Sequence, residues 1–266
     1  MTDLKFRPIF PKHAIERCAV TYGFRSVLPE KLFTALKGRH AAAVESAGFT
    51  QQPGTGLNID LVTGRVSSAA GSMPMIFNSV DGASAFVIAP NALTFQTTRY
   101  VRWSQFQAGL EQVVVPVLNE FLTAVGGATI RLEYSDCFIW DGSWDNFDSG
   151  KLLSSESDLV IGASRKFKGE WHSNSGWFED MGMDRRRLLN VNVAAVQRQR
   201  QDGSMHPALT ILTLGMDQTN QGVAGDLFDS SEHANHFLEK LHGDLKVLLS
   251  RVISTHMANT IGLNLP

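Results

Sequence analysis

From Trp103 to Val125 the apolar residues Trp103, Phe106, Leu110, Val113, Val114, Val117, Leu118, Phe121, Leu122 and Val125 recur three and four positions apart. This paints one wide stripe down a helix of about six turns. Such a helix must bury its stripe against another layer, and the chain supplies one at once. Gly126 and Gly127 provide the left-handed backbone that helix ends favour, after which Thr129, Arg131 and Glu133 alternate with Ile130, Leu132 and Tyr134 as a half-buried strand. Pro116 lies inside the stripe and cannot donate to the carbonyl of Gln112, which predicts a bend in the helix at that point.

Elements on either side of this joint read in the same order. Ile15 to Phe24 alternates as a strand with Glu16, Cys18, Val20 and Tyr22 toward the core. Pro29 opens a helix carrying Leu32, Phe33, Leu36, Ala43, Val44 and Ala47, which Gly48 ends. Between Gly54 and Thr98, the runs Leu57–Leu61, Met75–Phe77, Ala85–Ile88 and Leu93–Phe95 read as a meander of about four strands. After the central helix come a strand from Thr129 to Trp140 and a loop with a helical turn near Lys151 to Ser155. The runs Asp158–Lys166, Gly169–Phe178, Leu188–Arg198 and Ala208–Met216 then read as four strands, with Asp202-Gly203 as the turn between the last two. A helix from about Ser231 to Ile261 closes the chain. The expected fold is therefore α+β: two tandem β-α-β4-α units, 1–127 and 128–266, with long helices packed on one face of a curved antiparallel sheet. This order of elements resembles the duplicated fold of TATA-box-binding proteins and, unit by unit, the helix-grip domains.

A chain of 266 residues, 43% hydrophobic and 19% charged, has enough apolar material for two cores or one duplicated fold. A formal net charge of −2 gives no global field that draws it to nucleic acid or an anionic membrane. Cys18 and Cys137 lie in strands without metal-type spacing and read as buried free thiols of a reducing compartment. The N-terminus has no apolar signal core and no window reads as a membrane span, so the expectation is a cytoplasmic protein.

Three stretches carry chemistry worth weighing. The segment Asp136 to Asp148 reads as a loop interleaving Trp140, Trp144 and Phe147 with Asp136, Asp141, Asp145 and Asp148, a composition suited to gripping a partner protein. The alternative is that Trp140 packs inward and the acids are solvated. In Gly169 to Asp180, strand alternation puts Glu170, His172 and Asn174 on one face, flanked by Trp171 and Trp177. The polar set suits a proton-transfer pair or a weak metal site, and Trp171, Trp177 and His172 suit a pocket lining, but a strand with a polar solvent face predicts the same letters. Arg185, Arg186 and Arg187, with Arg198 and Arg200 beyond them, form the densest basic cluster, able to engage phosphate or to pair with Glu179, Asp180 and Asp184. No phosphate-cradle, nucleophile-elbow or zinc-protease motif is present, and no metal, cofactor or catalytic set is expected.

The segment Phe95-Gln-Thr-Thr-Arg-Tyr100-Val-Arg-Trp103-Ser-Gln-Phe106, the strand Ile130-Arg-Leu-Glu-Tyr134, and Leu241-His242 with Lys246 are spread over the whole chain. Together they resemble a sporadically distributed family of uncharacterised bacterial proteins of about this length. The family pattern puts Tyr and Trp around the strand-to-helix joint, an Arg-rich strand with Tyr after it, and a Leu-His pair near the C-terminus. The strand here ends Glu-Tyr-Ser-Asp, which departs from that pattern. The resemblance implies no activity or cofactor, and suits an accessory gene of mobile elements or antiviral defence regions. The functional expectation is a non-catalytic interaction or regulatory protein that binds a protein partner, with a homodimer favoured because both faces of the Leu188–Met216 hairpin need cover. Its rivals are a small-molecule or enzymatic module with a pocket between sheet and helices, and nucleic-acid binding through Arg185 to Arg187.

Overall fold

The computed structural model describes residues 5–52, 58–59, 66–67, 73–199, 203–219 and 225–265. In chain order the strands are β1 (Phe6–Pro8), β2 (Ile15–Phe24), β3 (Phe49–Gln52), β4 (Asn58–Ile59), β5 (Val66–Ser67), β6 (Met75–Ser79), β7 (Ser84–Ala89), β8 (Ala92–Thr97), β9 (Gly127–Trp140), β10 (Trp171–Gly182), β11 (Arg185–Gln199) and β12 (Met205–Thr219). The helices are α1 (Glu30–Ser46), α2 (Trp103–Gly109), α3 (Val115–Val125), α4 (Ser231–Val252) and α5 (Thr255–Thr260). One large antiparallel sheet runs β10-β11-β12-β9-β2-β8-β7-β6-β3, with β1 added beside β9; β4 and β5 form a separate two-stranded ladder.

Register explains how the core forms. Trp177, Leu189, Gly215, Leu132, Val20, Phe95, Phe86 and Phe77 are successive cross-strand partners, so they make a single row on one face. The helices cover that face. Their buried residues, among them Phe33 and Leu36 of α1, Phe106 of α2, Leu118 and Phe121 of α3 and Leu238, Leu241 and Leu245 of α4, join the row in one continuous core drawn from both halves of the chain. The adjacent row, Phe178, Leu188, Met216, Arg131, Thr21, Thr94, Val87 and Ile76, points the other way, and none of these residues belongs to that core.

The joint that organises the sequence is present with one refinement. Between α2 and α3, Leu110–Val114 forms a π-helical turn, in which the Val115 N–H reaches the carbonyl of Leu110. Pro116 has no N–H for the Gln112 carbonyl, and a widened turn is one way a helix absorbs that loss. The whole segment Trp103–Val125 is long and apolar enough, by length and composition, to cross a membrane. This differs from the sequence expectation, although its stripe packs on the sheet. At the stop, Gly126 takes φ +62°. Gly127 lies so close to Phe228 that a Cβ there would stand 2.5 Å from the ring.

Several expectations are corrected. Asp158–Lys166 is not a strand. Leu159 and Val160 are buried anchors, while the backbone bends into a 3-10 turn at Ser164–Lys166 and is held by side chains, Ser173 Oγ accepting from Ile161 N and Ser175 Oγ donating to Leu159 O. Among the described residues the second half therefore has three strands after β9 instead of four, and 3-10 turns at Trp144–Asn146 and Ser149–Lys151 stand where the first half has α1. Glu16 leaves the core face because β2 is irregular between Ile15 and Arg17, and its carboxylate pairs with Arg198 at 2.7 Å. The short strand β1 has no periodic signal of its own. Of the run Leu57–Leu61 only residues 58–59 are described, and the Asp202 turn residue and Arg200 lie outside the described residues.

Candidate functional site

Strand β9 decides the fate of the acidic aromatic segment. Its core-facing residues Ile130, Leu132, Tyr134, Asp136, Phe138 and Trp140 are all buried, so Asp136 is an interior strand residue and not part of a loop. Trp140 is interior too: its ring lies 4.9 Å from Phe6 and 6.0 Å from Phe147, and its Nε1 donates to Asn146 Oδ1 at 2.9 Å. Trp144 leans on Phe147 and donates to Gln197 Oε1 at 2.5 Å. Asp141 binds Arg7 at 2.9 Å, and Asp145 is exposed. A partner-gripping loop needs its aromatics outward, and here Trp140 is spent on the core.

The polar residues of β10 likewise separate. Glu170 accepts from the Gln197 backbone N–H at 3.1 Å and Asn174 accepts from Asn190 Nδ2 at 2.9 Å, so His172, exposed on the open face, has neither as a partner. Trp171 and Trp177 turn toward the helix side. Trp171 keeps its Nε1 buried and unpaired, and Trp177 bonds Glu179 at 3.0 Å under the Arg251 guanidinium. These residues line no common pocket. The arginine cluster also splits by strand alternation. Arg187 is 2% exposed and grips both oxygens of Asp217 at 2.6 Å, with Asp244 of α4 as a further partner. Arg186 lies over Phe178 on the opposite face, and Arg185 over Phe237. Arg187 is thus a structural ion pair, and the three guanidiniums form no shared phosphate-binding surface.

What the fold does bring together are the three segments that carry the family resemblance. Trp103, at the start of α2, stacks on His242 of α4 at 4.4 Å and 7°. Its Nε1 donates to Glu239 at 3.0 Å, and Gln107 binds the same carboxylate. Tyr134 meets His242 Nδ1 at 2.9 Å. The Tyr100 and Tyr134 rings meet edge-on at 5.8 Å. Two residues along β9 from Tyr134, the Asp136 carboxyl is fully enclosed with neither oxygen hydrogen-bonded.

Burial sets the charge states of His242, Cys18, Tyr100, Tyr134 and Asp136. It brings the His242 ring down to about 4, helped by the Lys246 ammonium, so His242 is neutral at pH 7 and its Nδ1 shares one hydrogen bond with the Tyr134 hydroxyl. It raises Cys18, Tyr100 and Tyr134 well above their ordinary values, and it pushes the Asp136 carboxyl up to about 7. A protonated thiol and two protonated phenols beside a neutral imidazole donate and accept hydrogen bonds but supply no thiolate or phenolate. Among the described residues no group of three or more His, Cys, Asp or Glu is placed to hold a metal ion.

On the far side of Tyr100 and Phe106 a cavity of about 260 Å3 opens between the end of α1, the β7 and β8 strands and the first turns of α2. Sequence reasoning did not find it, since its walls come from Gly48, Phe49, Phe95 and Gly109, each unremarkable in its own segment. No protein-family model matches the chain, and no curated protein matches it.

Proposed function

We propose that the protein is a non-catalytic interaction protein whose uncovered sheet face receives a protein partner, first of all a second copy of itself. The observation that carries this reading is the row Phe178, Leu188, Met216, Arg131, Thr21, Thr94, Val87 and Ile76, with Leu212, Leu214 and Val196 beside it: apart from Arg131, apolar and threonine side chains on a face that no helix covers among the described residues. At its centre Glu133 pairs with both Arg17 and Arg131, which leaves a single net positive charge, too little for a polyanion-binding surface. Asn192 Oδ1 is buried on this face without a donor, an acceptor that a facing sheet can satisfy. Two such faces stack about 10 Å apart in a sandwich.

The same reading takes the sheet as two tandem units meeting at β2 and β9. Outward from that seam the strands run β2-β8-β7-β6, with β3 beyond, on one side and β9-β12-β11-β10 on the other. This mirrored order supports a duplication of the TATA-box-binding-protein kind in which the second unit lacks the first helix. The buried thiols of Cys18 and Cys137 favour a reducing cytoplasm. With the resemblance to a sporadic bacterial family, they suit a regulatory component of an accessory or defence system.

Light scattering tests the partner. The intact chain at micromolar concentration is expected at twice its 29.2 kDa mass, and Leu212→Arg, on the open face, is expected at the monomer mass with an unchanged melting temperature. A wild-type monomer under these conditions refutes the homodimer.

A further inference from the structure

The cavity beside Tyr100 does not belong to the open face, and its chemistry is different. Phe77, Phe86, Phe121 and Phe138 of the same core are completely covered. Phe49, Phe95, Phe106 and Tyr100 instead keep 9, 5, 4 and 8% of their surface exposed, and all four line the cavity. These four rings are not fully covered, and an apolar lining left uncovered forfeits dispersion contacts that an apolar guest restores.

The polar lining is selective. Asp81 is already held by Ser79 Oγ at 2.6 Å, by the Ala83 N–H at 3.0 Å and by Arg99 at 2.6 Å, so Arg99 and Asp81 cancel. Arg102 at the rim has no acidic partner among the described residues and leaves the cavity with one unanswered positive charge. Its guanidinium presents a planar fork matched to a carboxylate. The wall that carries it is unusual. Gly109 lets the helix approach to where a Cβ would stand 3.3 Å from the Phe95 ring, and directly after it the π turn brings Gln112 and Val113 to the same cavity. Such turns within α-helices recur at functional sites.

Size sets the guest. A dry cavity of about 150 Å3 holds benzene, so one of about 260 Å3 takes a single substituted ring and not a nucleotide. We propose that this cavity is a binding site for a small aromatic or heteroaromatic monocarboxylate, its ring among Phe49, Phe95, Phe106 and Tyr100 and its carboxylate on Arg102. The site is independent of the interaction reading and stands or falls without it.

Benzoate is the probe, with benzamide as the neutral analogue of the same shape and acetate as the carboxylate without a ring. Binding to the intact protein is followed by ligand-observed NMR and by the fluorescence of Trp103, which begins the helix that walls the cavity. Benzoate is expected to bind at least tenfold tighter than either analogue. Arg102→Ala, at an exposed position that leaves folding intact, is expected to cost benzoate about tenfold while benzamide is unchanged, and Arg102→Lys to restore part of the loss. Gly109→Leu, which fills the cavity, is expected to abolish both aromatic ligands. Absence of benzoate binding at millimolar concentration overturns the proposal, and so does equal affinity for benzamide or an Arg102→Ala variant that binds benzoate as the wild type does.

Discussion

Asp136→Asn isolates the energetic consequence of the enclosed carboxyl. In the unfolded chain the group ionises near 3.8, whereas in the folded protein burial raises it to about 7. Between those values the native state keeps its proton and the unfolded state loses it, so stability is fully present below pH 3.8 and is lost as pH rises through 7. The gap between 3.8 and 7, at about 1.4 kcal/mol per pH unit, corresponds to a loss of about 4 kcal/mol by pH 8. About 3 kcal/mol of this falls between pH 4.5 and 8 by the same linkage. The asparagine has the same shape and no ionisation. Urea denaturation of both proteins across this pH range, taken as the difference between their pH profiles, cancels every other titrating group. The variant is expected to be the more stable above pH 7, with the advantage shrinking toward zero near pH 4. Parallel profiles, or a wild type that gains on the variant as pH rises, refute the claim that this carboxyl is dry and unpartnered.

Two further substitutions probe the packing. Arg187→Ala strands Asp217, itself 3% exposed, as an unpaired buried charge and is expected to cost about 3–5 kcal/mol in denaturant unfolding; adding Asp217→Leu to Arg187→Met should recover most of that, which a merely surface arginine would not show. Gly127→Ala drives a methyl group into the Phe228 ring and is expected to cost about 1–3 kcal/mol; a melting temperature equal to wild type would mean the two chains do not meet as closely as described.

How legible the chain is depends on how local each decision is. The central helix and β9 could be read because a one-sided stripe and a period of two are written in consecutive residues, and the faces assigned to Cys18, Val20, Tyr22, Leu132 and Tyr134 are those found buried. Arg187 could not be read, because the partners that draw it inward lie 30 and 57 residues away on β12 and α4. Trp140 reads two ways in the sequence for the same reason: the ring that covers it comes from Phe6, in an arm whose strand has no periodicity. Leu159 and Val160 mimic a strand because anchoring and ladder formation use the same apolar letters. The meeting of Trp103, Tyr134 and His242 could not be read, since composition says nothing about which distant aromatics stack.

The pairing of β2 with β9 also bears on how the molecule assembles. Val20 and Leu132 are register partners 132 − 20 = 112 residues apart, and closing a loop of that length costs about 4 kcal/mol of chain entropy. The hairpins β6-β7-β8 and β10-β11-β12 close over far shorter spans and are expected to form first. Until the seam closes, each half offers a long strand with one bare edge, and the matching edge of another molecule fits it as well as its own. Exchange of halves between two chains during folding, with β2 of one zipped onto β9 of the other, is the error this topology invites, and fast refolding at low protein concentration is the condition that avoids it.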